Sequence, residues 1–154
     1  LFSNILKKFP KFKMKIAGNG DQKKYLRKLV SKYRINKNVK FVGHIENLSN
    51  LFKKANLTIM TSAYEGFPNV LIESITLGTP VISYDCPYGP REIIKDGING
   101  FLVKNDDENN FEKKIIQALI VKWDPKKIQR SASIYRNSSI LDEYENFFSK
   151  IIKR

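Results

Sequence analysis

The 154 residues include one cysteine, Cys86, and one histidine, His44. A lone cysteine excludes an internal disulfide and any cysteine-rich metal site. A single imidazole without a partner in view is a weak argument for catalysis. No stretch approaches the roughly 20 apolar residues of a membrane-spanning helix. Leu1 to Pro10 also lacks the long apolar run and small-residue cleavage site of a secretory leader. A cytoplasmic location is the expectation. Repeats, low-complexity tracts and linkers are absent too, so one domain is the economical reading. At 42% apolar and 28% charged residues, the composition is that of a globular chain.

Acidic residues are scarce: 15 stand against 28 lysines and arginines, a net charge of +13. The basic residues cluster early, at Lys7, Lys8, Lys11, Lys13, Lys15, Lys23, Lys24, Arg27 and Lys28. Three sources compete: nucleic acid, an anionic membrane surface on the inner face of the cell membrane, or a genome biased toward Lys, Asn and Ile codons. The abundance of Asn and Ile favours bias for much of the excess. Nucleic acid is disfavoured, because no recognisable module interleaves aromatics with the basic clusters. The chain opens on Leu1, with Phe2, Ile5, Leu6 and Phe9 already patterned as the end of an amphipathic helix. That pattern suggests a piece of a longer protein, although a trimmed chain would look the same.

Short apolar runs alternate with amphipathic segments, the pattern of an open parallel sheet covered on both faces. Strands are expected at Met14–Ala17, Val39–Val42, Leu57–Thr61, Val81–Tyr84 and Phe101–Val103. A helix is expected from about Asp21 to Arg34, with Tyr25, Leu26, Leu29, Val30 and Tyr33 on one stripe. Leu48, Leu51 and Phe52 mark a short helix. Pro68 suits a first helical position, and Gly78 with Pro80 stops that helix. Beyond Val103 the chain reads as helical, with stripes at Phe111, Ile115, Ile116 and Leu119, then at Tyr144, Phe147, Phe148 and Ile151. The fold class is α/β: a Rossmann-like, doubly wound parallel sheet with C-terminal helices.

Ligands of such sheets bind outside the carboxyl ends of the strands. Gly18-Asn19-Gly20 would let backbone approach a ligand, but Lys23 stands where a dinucleotide fingerprint needs a small residue, and no acidic residue closes the next strand. A plain tight turn explains the pair equally well. The segment Glu65 to Glu73 places one carboxylate in a loop and the other in the second helical turn, with seven residues between them. The backbone N–H groups of Asn69, Val70 and Leu71 would face the mouth of the sheet, where a helix N-terminus attracts phosphate. A ligand with a central pyrophosphate and hydroxyls at both ends would suit this layout. Asn69, Glu73 and Thr76 also fall at helical spacing, so a solvated face is the competing reading.

Glu65 to Glu73 resembles the E-x7-E motif of the retaining glycosyltransferases of family 4, the group 1 family. Its neighbours fit as well: Lys15-Ile16-Ala17-Gly18-Asn19-Gly20, Val39-Lys40-Phe41-Val42-Gly43, Ala55-Asn56-Leu57 and Leu77-Gly78-Thr79-Pro80-Val81-Ile82. Asp96-Gly97-Ile98-Asn99-Gly100-Phe101-Leu102-Val103 resembles the family's D-G-x-N-G-x-L-V run. Asp85-Cys86-Pro87-Tyr88-Gly89-Pro90-Arg91-Glu92 departs from the commoner Gly-Gly-x-Pro-Glu form. It is similar to a branch that builds bacterial surface polysaccharides, often from UDP-activated sugars.

The resemblance implies the second half of a GT-B fold, the donor-binding domain of an enzyme that moves a sugar from a nucleotide diphosphate sugar to a glycan or lipid-linked acceptor. Glu65 would contact hydroxyls of the transferred sugar as the catalytic carboxylate, with Gly66, Phe67 and Pro68 walling the sugar pocket. Glu73 would hold the ribose diol, and the amides of Asn69, Val70 and Leu71 would meet the diphosphate. Gly18 and Gly20 would line the nucleotide site, and the base would lie near Gly43, His44 and Ile45; a plain surface role for His44 stays open. No cofactor and no metal are implied. An N-terminal GT-B domain, which binds the acceptor, is implied as a partner, and residues 1–154 alone are expected to be inactive. The rival readings are a nucleotide-binding module without catalysis and a GT-B nucleotide-sugar epimerase.

Overall fold

The computed structural model describes residues 1–135 and 137–152. The chain divides into two compact units, Leu1–Leu48 and Ser49–Arg154. In the first, α1 (Phe2–Lys8) precedes β1 (Met14–Ala17), α2 (Lys23–Lys32) and β2 (Val39–Gly43). The two strands pair in parallel, Met14 opposite Val39 and Ile16 opposite Phe41, with a shift in register before Ala17 meets Gly43. Asn38 fixes the approach to the pair: its side-chain amide donates to the carbonyls of Pro10 and Phe12. On α2, Leu26, Leu29 and Val30 are half-buried, whereas Tyr25 and Tyr33 are exposed. Aromatic residues at helical spacing were expected to share that buried stripe. Their amphipathic rings stand instead at its margins.

The second unit opens with α3 (Ser49–Phe52) and builds a three-stranded parallel sheet in the order β3 (Thr58–Met60), β4 (Val81–Tyr84), β5 (Gly100–Val103). Between the strands run α4 (Asn69–Thr76) and the short α5 (Pro90–Ile93). After them come α6 (Glu108–Ile120), α7 (Pro125–Ser131), a 3-10 turn at Ser133–Tyr135 and α8 (Asn137–Ile152). The strands and helices alternate as expected, but strand pairing runs in two sheets, one in each unit. Alternation of short apolar runs with helices fixes the parallel sense and leaves the number of sheets open.

Pairing of Thr58 with Val81, and of Val81 with Gly100, sorts the side chains by face. Val81 joins Met60, Leu71, Ile75, Ile93, Ile128 and Ala132 in one apolar core, against which Leu102 packs. On the opposite face the ring of Tyr84 lies 4.3 Å from that of Phe111 in α6, and Phe101 meets Trp123 edge-on at 5.5 Å. The sheet is therefore covered on both faces, which is why adjacent residues such as Val81 and Ile82 are apolar and fully buried alike.

Two polar hubs tie the helices to this sheet. Ser74 in α4 donates to the Thr79 carbonyl and lies 2.8 Å from Thr58 Oγ1, while Thr79 Oγ1 donates to the Phe52 carbonyl. Asn99, fully buried, accepts from the Lys95 N–H and donates to the Ile93 carbonyl and Ser131 Oγ. Capping follows ordinary rules: Asp107 and Asp124 accept from first-turn amides of α6 and α7, and Pro125 opens α7. On α8, by contrast, Tyr144, Phe147, Phe148 and Ile151 are all more than half exposed. Among the described residues no helix is long and apolar enough to cross a membrane.

The tightest approach in the second unit is at Gly100, where an added Cβ would lie 2.0 Å from the Val81 carbonyl oxygen. Gly100→Ala must push β5 away from β4. The expected loss is about 3 kcal/mol, the upper range for overpacking a well-filled site. Urea unfolding with an unchanged midpoint would show that the strands can separate without cost.

Candidate functional site

The loops at the carboxyl ends of β3 and β4 carry the residues nominated by sequence. Residues 61–68 leave β3 and hold Glu65, which is partly buried, then the exposed Gly66 and Phe67. Pro68 is buried and sits at the N-cap of α4, so the helix begins at Asn69, one residue later than expected. The slip has a chemical consequence. The Leu71 N–H donates to the Pro68 carbonyl at 3.0 Å, and the Leu71 side chain is fully buried in the core. Of the three amides proposed for a diphosphate, those of Asn69 and Val70 remain, in the first turn where no i−4 carbonyl of the helix is available. Asn69, Glu73 and Thr76 are all exposed on the outer stripe of α4.

Pro68 also changes role. A Cβ on Gly89, in the loop after β4, would lie 2.4 Å from Pro68 Cδ and 2.8 Å from the Gly66 carbonyl oxygen. Pro68 is thus packed beneath that loop and supports the segment, where sequence reading had it lining a sugar pocket. Phe67, 47% exposed, stands edge-on to Tyr135 at 5.9 Å, and the Tyr135 hydroxyl donates to the Glu92 carbonyl. Two links therefore bind the Glu65 loop to the segment that follows β4.

Cys86 supplies a third. Its thiol is buried and titrates above the ordinary value, first because burial penalises the thiolate, then because the Glu65 carboxylate lies close; hydrogen bonding from its own backbone and that of Glu65 offsets part of the rise. Arg91 pairs with Asp85 through both forks of the guanidinium, its Nε 3.1 Å from Oδ1. None of these partnerships has a local spacing that a sequence reader could use.

The remaining nominated residues lie in the first unit. Gly18, with φ of 113°, donates its N–H to the carbonyl of Gly43, itself at φ 75°. The carboxyl ends of β1 and β2 are joined there, followed by the exposed His44 and half-buried Ile45. Gly18 and Gly20 have no atom within 4 Å of an added Cβ, so their backbones face open space. The Lys23 ammonium donates to Asn19 Oδ1, which occupies Lys23 where a fingerprint would need a small residue. Among the described residues, no group of three or more His, Cys, Asp or Glu side chains offers a metal a ligand set.

Parallel sheets with flanking helices define a Rossmann-like α/β fold, and the solved structures that share it are GT-B glycosyltransferases. The family model described as "Glycosyl transferases group 1" matches residues 1–134, and the chain belongs to this family. It is 36% identical over 119 residues to the poly(glycerol-phosphate) alpha-glucosyltransferase of Bacillus subtilis, covering 77% of this chain and 17% of that protein. It is 29% identical over 150 residues to the poly(ribitol-phosphate) alpha-N-acetylglucosaminyltransferase of Staphylococcus aureus, covering 94% of this chain and 30% of the other. Among solved structures, a mutant of S. aureus TarM in complex with UDP, alpha-GlcNAc-glycerol and Fondaparinux superposes with a TM-score of 0.80 at 28% identity, covering 95% of this chain and 31% of that one. The lipopolysaccharide galactosyltransferase WaaB shares the fold at a TM-score of 0.83 and 24% identity, covering 97% and 45%. The chain spans less than a third of the length of these curated relatives.

The buried thiol generates a pH prediction. Cys86 ionises near its ordinary value of 9.0 in the unfolded chain and higher in the folded one. Its contribution to stability is complete below about pH 9 and is lost as pH rises toward the folded value. Melting temperature should fall above pH 9 more steeply in the natural protein than in Cys86→Ala. Parallel curves would mean that Tyr84 and Tyr135, both also raised by burial, account for the alkaline loss.

Proposed function

We propose that the chain is the donor-binding domain of a retaining glycosyltransferase, with UDP-sugars the favoured donors and a glycan or lipid-linked acceptor. The observation that carries this reading is the placement of two carboxylates around the start of α4. Glu65 is partly buried in the loop after β3, and Glu73 is exposed on the second turn. A nucleotide sugar laid across that helix end would meet a carboxylate at its hexose, the Asn69 and Val70 amides at its diphosphate, and Glu73 at its ribose diol. The UDP bound by the TarM relative, and the two relatives named for glycosylating poly(glycerol-phosphate) and poly(ribitol-phosphate), support the donor class and a role in surface-polysaccharide synthesis.

In the transfer itself the bond from the anomeric carbon to the diphosphate oxygen breaks, and a bond to the acceptor oxygen forms on the same face. The acceptor's hydroxyl proton leaves with the departing diphosphate. Charge grows on that diphosphate, so N–H donors fixed at Asn69 and Val70 stabilise the transition state more than the ground state. Glu65 orients the sugar by accepting from its hydroxyls. Holding the acceptor in line is the task of the partner N-terminal domain, and such positioning is worth about 7–11 kcal/mol of barrier.

Glu73→Ala should weaken binding of UDP and of UDP-sugars alike. Loss of hydrogen bonds to a charged group costs roughly 1.5–3 kcal/mol, about ten- to a hundredfold in affinity. An unchanged titration in the folded variant would return Glu73 to the solvated face of α4. Glu65→Gln should split the ligands, weakening the sugar nucleotide while leaving the free diphosphate near normal. Equal losses for both would put Glu65 away from the sugar.

A further inference from the structure

The loop after β4 is built with unusual care for a surface turn. Its two ends are joined by the Asp85–Arg91 pair. Its Gly89 N–H donates to the Glu92 carboxylate, and its Gly89 backbone is seated on Gly66, Phe67 and Pro68 with no room for a side chain. At the crest stands Tyr88, at φ 65°. Left-handed backbone is uncommon outside glycine, asparagine and aspartate, and for a bulky side chain it is a genuine outlier.

Among the described residues, two other non-glycine residues share this region of backbone, Arg34 after α2 and Asp106 before α6, both exposed; Tyr88 is the aromatic one among them. Tyr88 is 78% exposed, and among the described residues its ring has no aromatic partner and its hydroxyl no recorded hydrogen bond. Neither the left-handed backbone nor the uncovered ring is offset by a contact of the Tyr88 side chain itself. Asparagine or glycine would make the same turn more cheaply. The position of the ring indicates what compensates: Tyr88 adjoins the glycine that touches the Glu65 loop on its Gly66–Pro68 side.

We infer that Tyr88 is a specificity-determining residue of the donor site, its ring covering the apolar C–H face of the transferred pyranose while Glu65 accepts from that sugar's hydroxyls. The inference rests on the donor-site reading above and deepens it. A carboxylate and an aromatic ring carried on two loops that touch through Gly89 and Pro68 match the two surfaces of a hexose, whose hydroxyls lie at the rim and whose C–H groups form a flat patch. The pinned loop ends and the seat of Gly89 fix the backbone of Tyr88 before a sugar arrives, so the loop itself needs little ordering on binding.

The test compares Tyr88→Asn, Tyr88→Phe and Glu65→Gln in the intact enzyme. Each variant is titrated with UDP and GDP and with UDP-glucose, UDP-galactose, UDP-N-acetylglucosamine and GDP-mannose, and each is melted without ligand. Tyr88→Asn keeps the left-handed turn, so its unliganded melting temperature should equal or exceed that of the natural protein. Its affinity for the preferred sugar nucleotide should fall about two- to tenfold, as for loss of one aromatic contact, with the matching free diphosphate unchanged. Tyr88→Phe should retain natural affinity. A fall of several degrees in the melting temperature of Tyr88→Asn would show that the ring serves the fold. An unchanged sugar-nucleotide affinity, or an equal loss of free diphosphate, would also overturn the inference. If Glu65→Gln loses the sugar nucleotide selectively while Tyr88→Asn does not, the inference alone fails. If the natural protein binds no member of the panel, the donor-site reading fails and carries this one with it.

Discussion

Strand β4 has no exposed face along Val81, Ile82 and Ser83, and it is hydrogen-bonded on both edges. That single constraint organises the second unit. A strand with both faces buried must be apolar or have its polar side chains hydrogen-bonded, as Ser83 is to the Tyr84 carbonyl, needs helices above and below, and must have neighbours able to approach closely. Gly100 answers the last demand, and the paired rings of Tyr84 and Phe111 answer the second. Because β3 and β4 run parallel in close register, their carboxyl-end loops emerge side by side, and the packing of Gly89 on Pro68 follows from that adjacency.

The motif residues divide by task. Gly78, Asn99 and Gly100 maintain the backbone: Gly78 has a φ of 83° with Pro125 pressed against it, and Asn99 joins α5, the following turn and α7. Asp96 belongs with them, since its carboxylate accepts from the Leu102 N–H. Gly66, Asn69 and Glu73 are left facing solvent, and Glu65 partly so. A conspicuous sequence run such as Asp96 to Val103 can thus be tied up largely in internal contacts, while a plainer one such as Glu65 to Glu73 leaves polar side chains uncovered.

Strands β1 and β4 were legible to the residue because each is a short apolar run bounded by residues that stop it. The expected Leu57–Thr61 strand proved shorter at both ends, since pairing extends only over Thr58 to Met60. The start of α4 was one residue off because proline serves as an N-cap here, and that detail decided which amides stay available. The contacts of Cys86 and Gly89 with the Glu65 loop were invisible in sequence. They join residues about twenty positions apart, through a strand pairing that no local periodicity records. The stripe that spacing marks on α8 is present but exposed, because spacing reports amphipathicity and not what covers it.

The chain contains two Asn-Gly pairs, Asn19-Gly20 and Asn99-Gly100, and the fold treats them oppositely. Deamidation begins when the backbone nitrogen of the following residue attacks the asparagine side-chain carbon and expels ammonia. A following glycine offers that nitrogen least obstruction. Asn99 is fully buried, with its side-chain amide engaged at three hydrogen bonds and Gly100 held in a strand, so the geometry of attack is denied to it while the unit is folded. Asn19 lies exposed in an open turn, where the Lys23 ammonium donates to its side-chain oxygen. The two sites are chemical clocks of different kinds. An acidic variant arising at Asn19 records the age of the sample, and one arising at Asn99 records that the core around β4 and β5 has come apart.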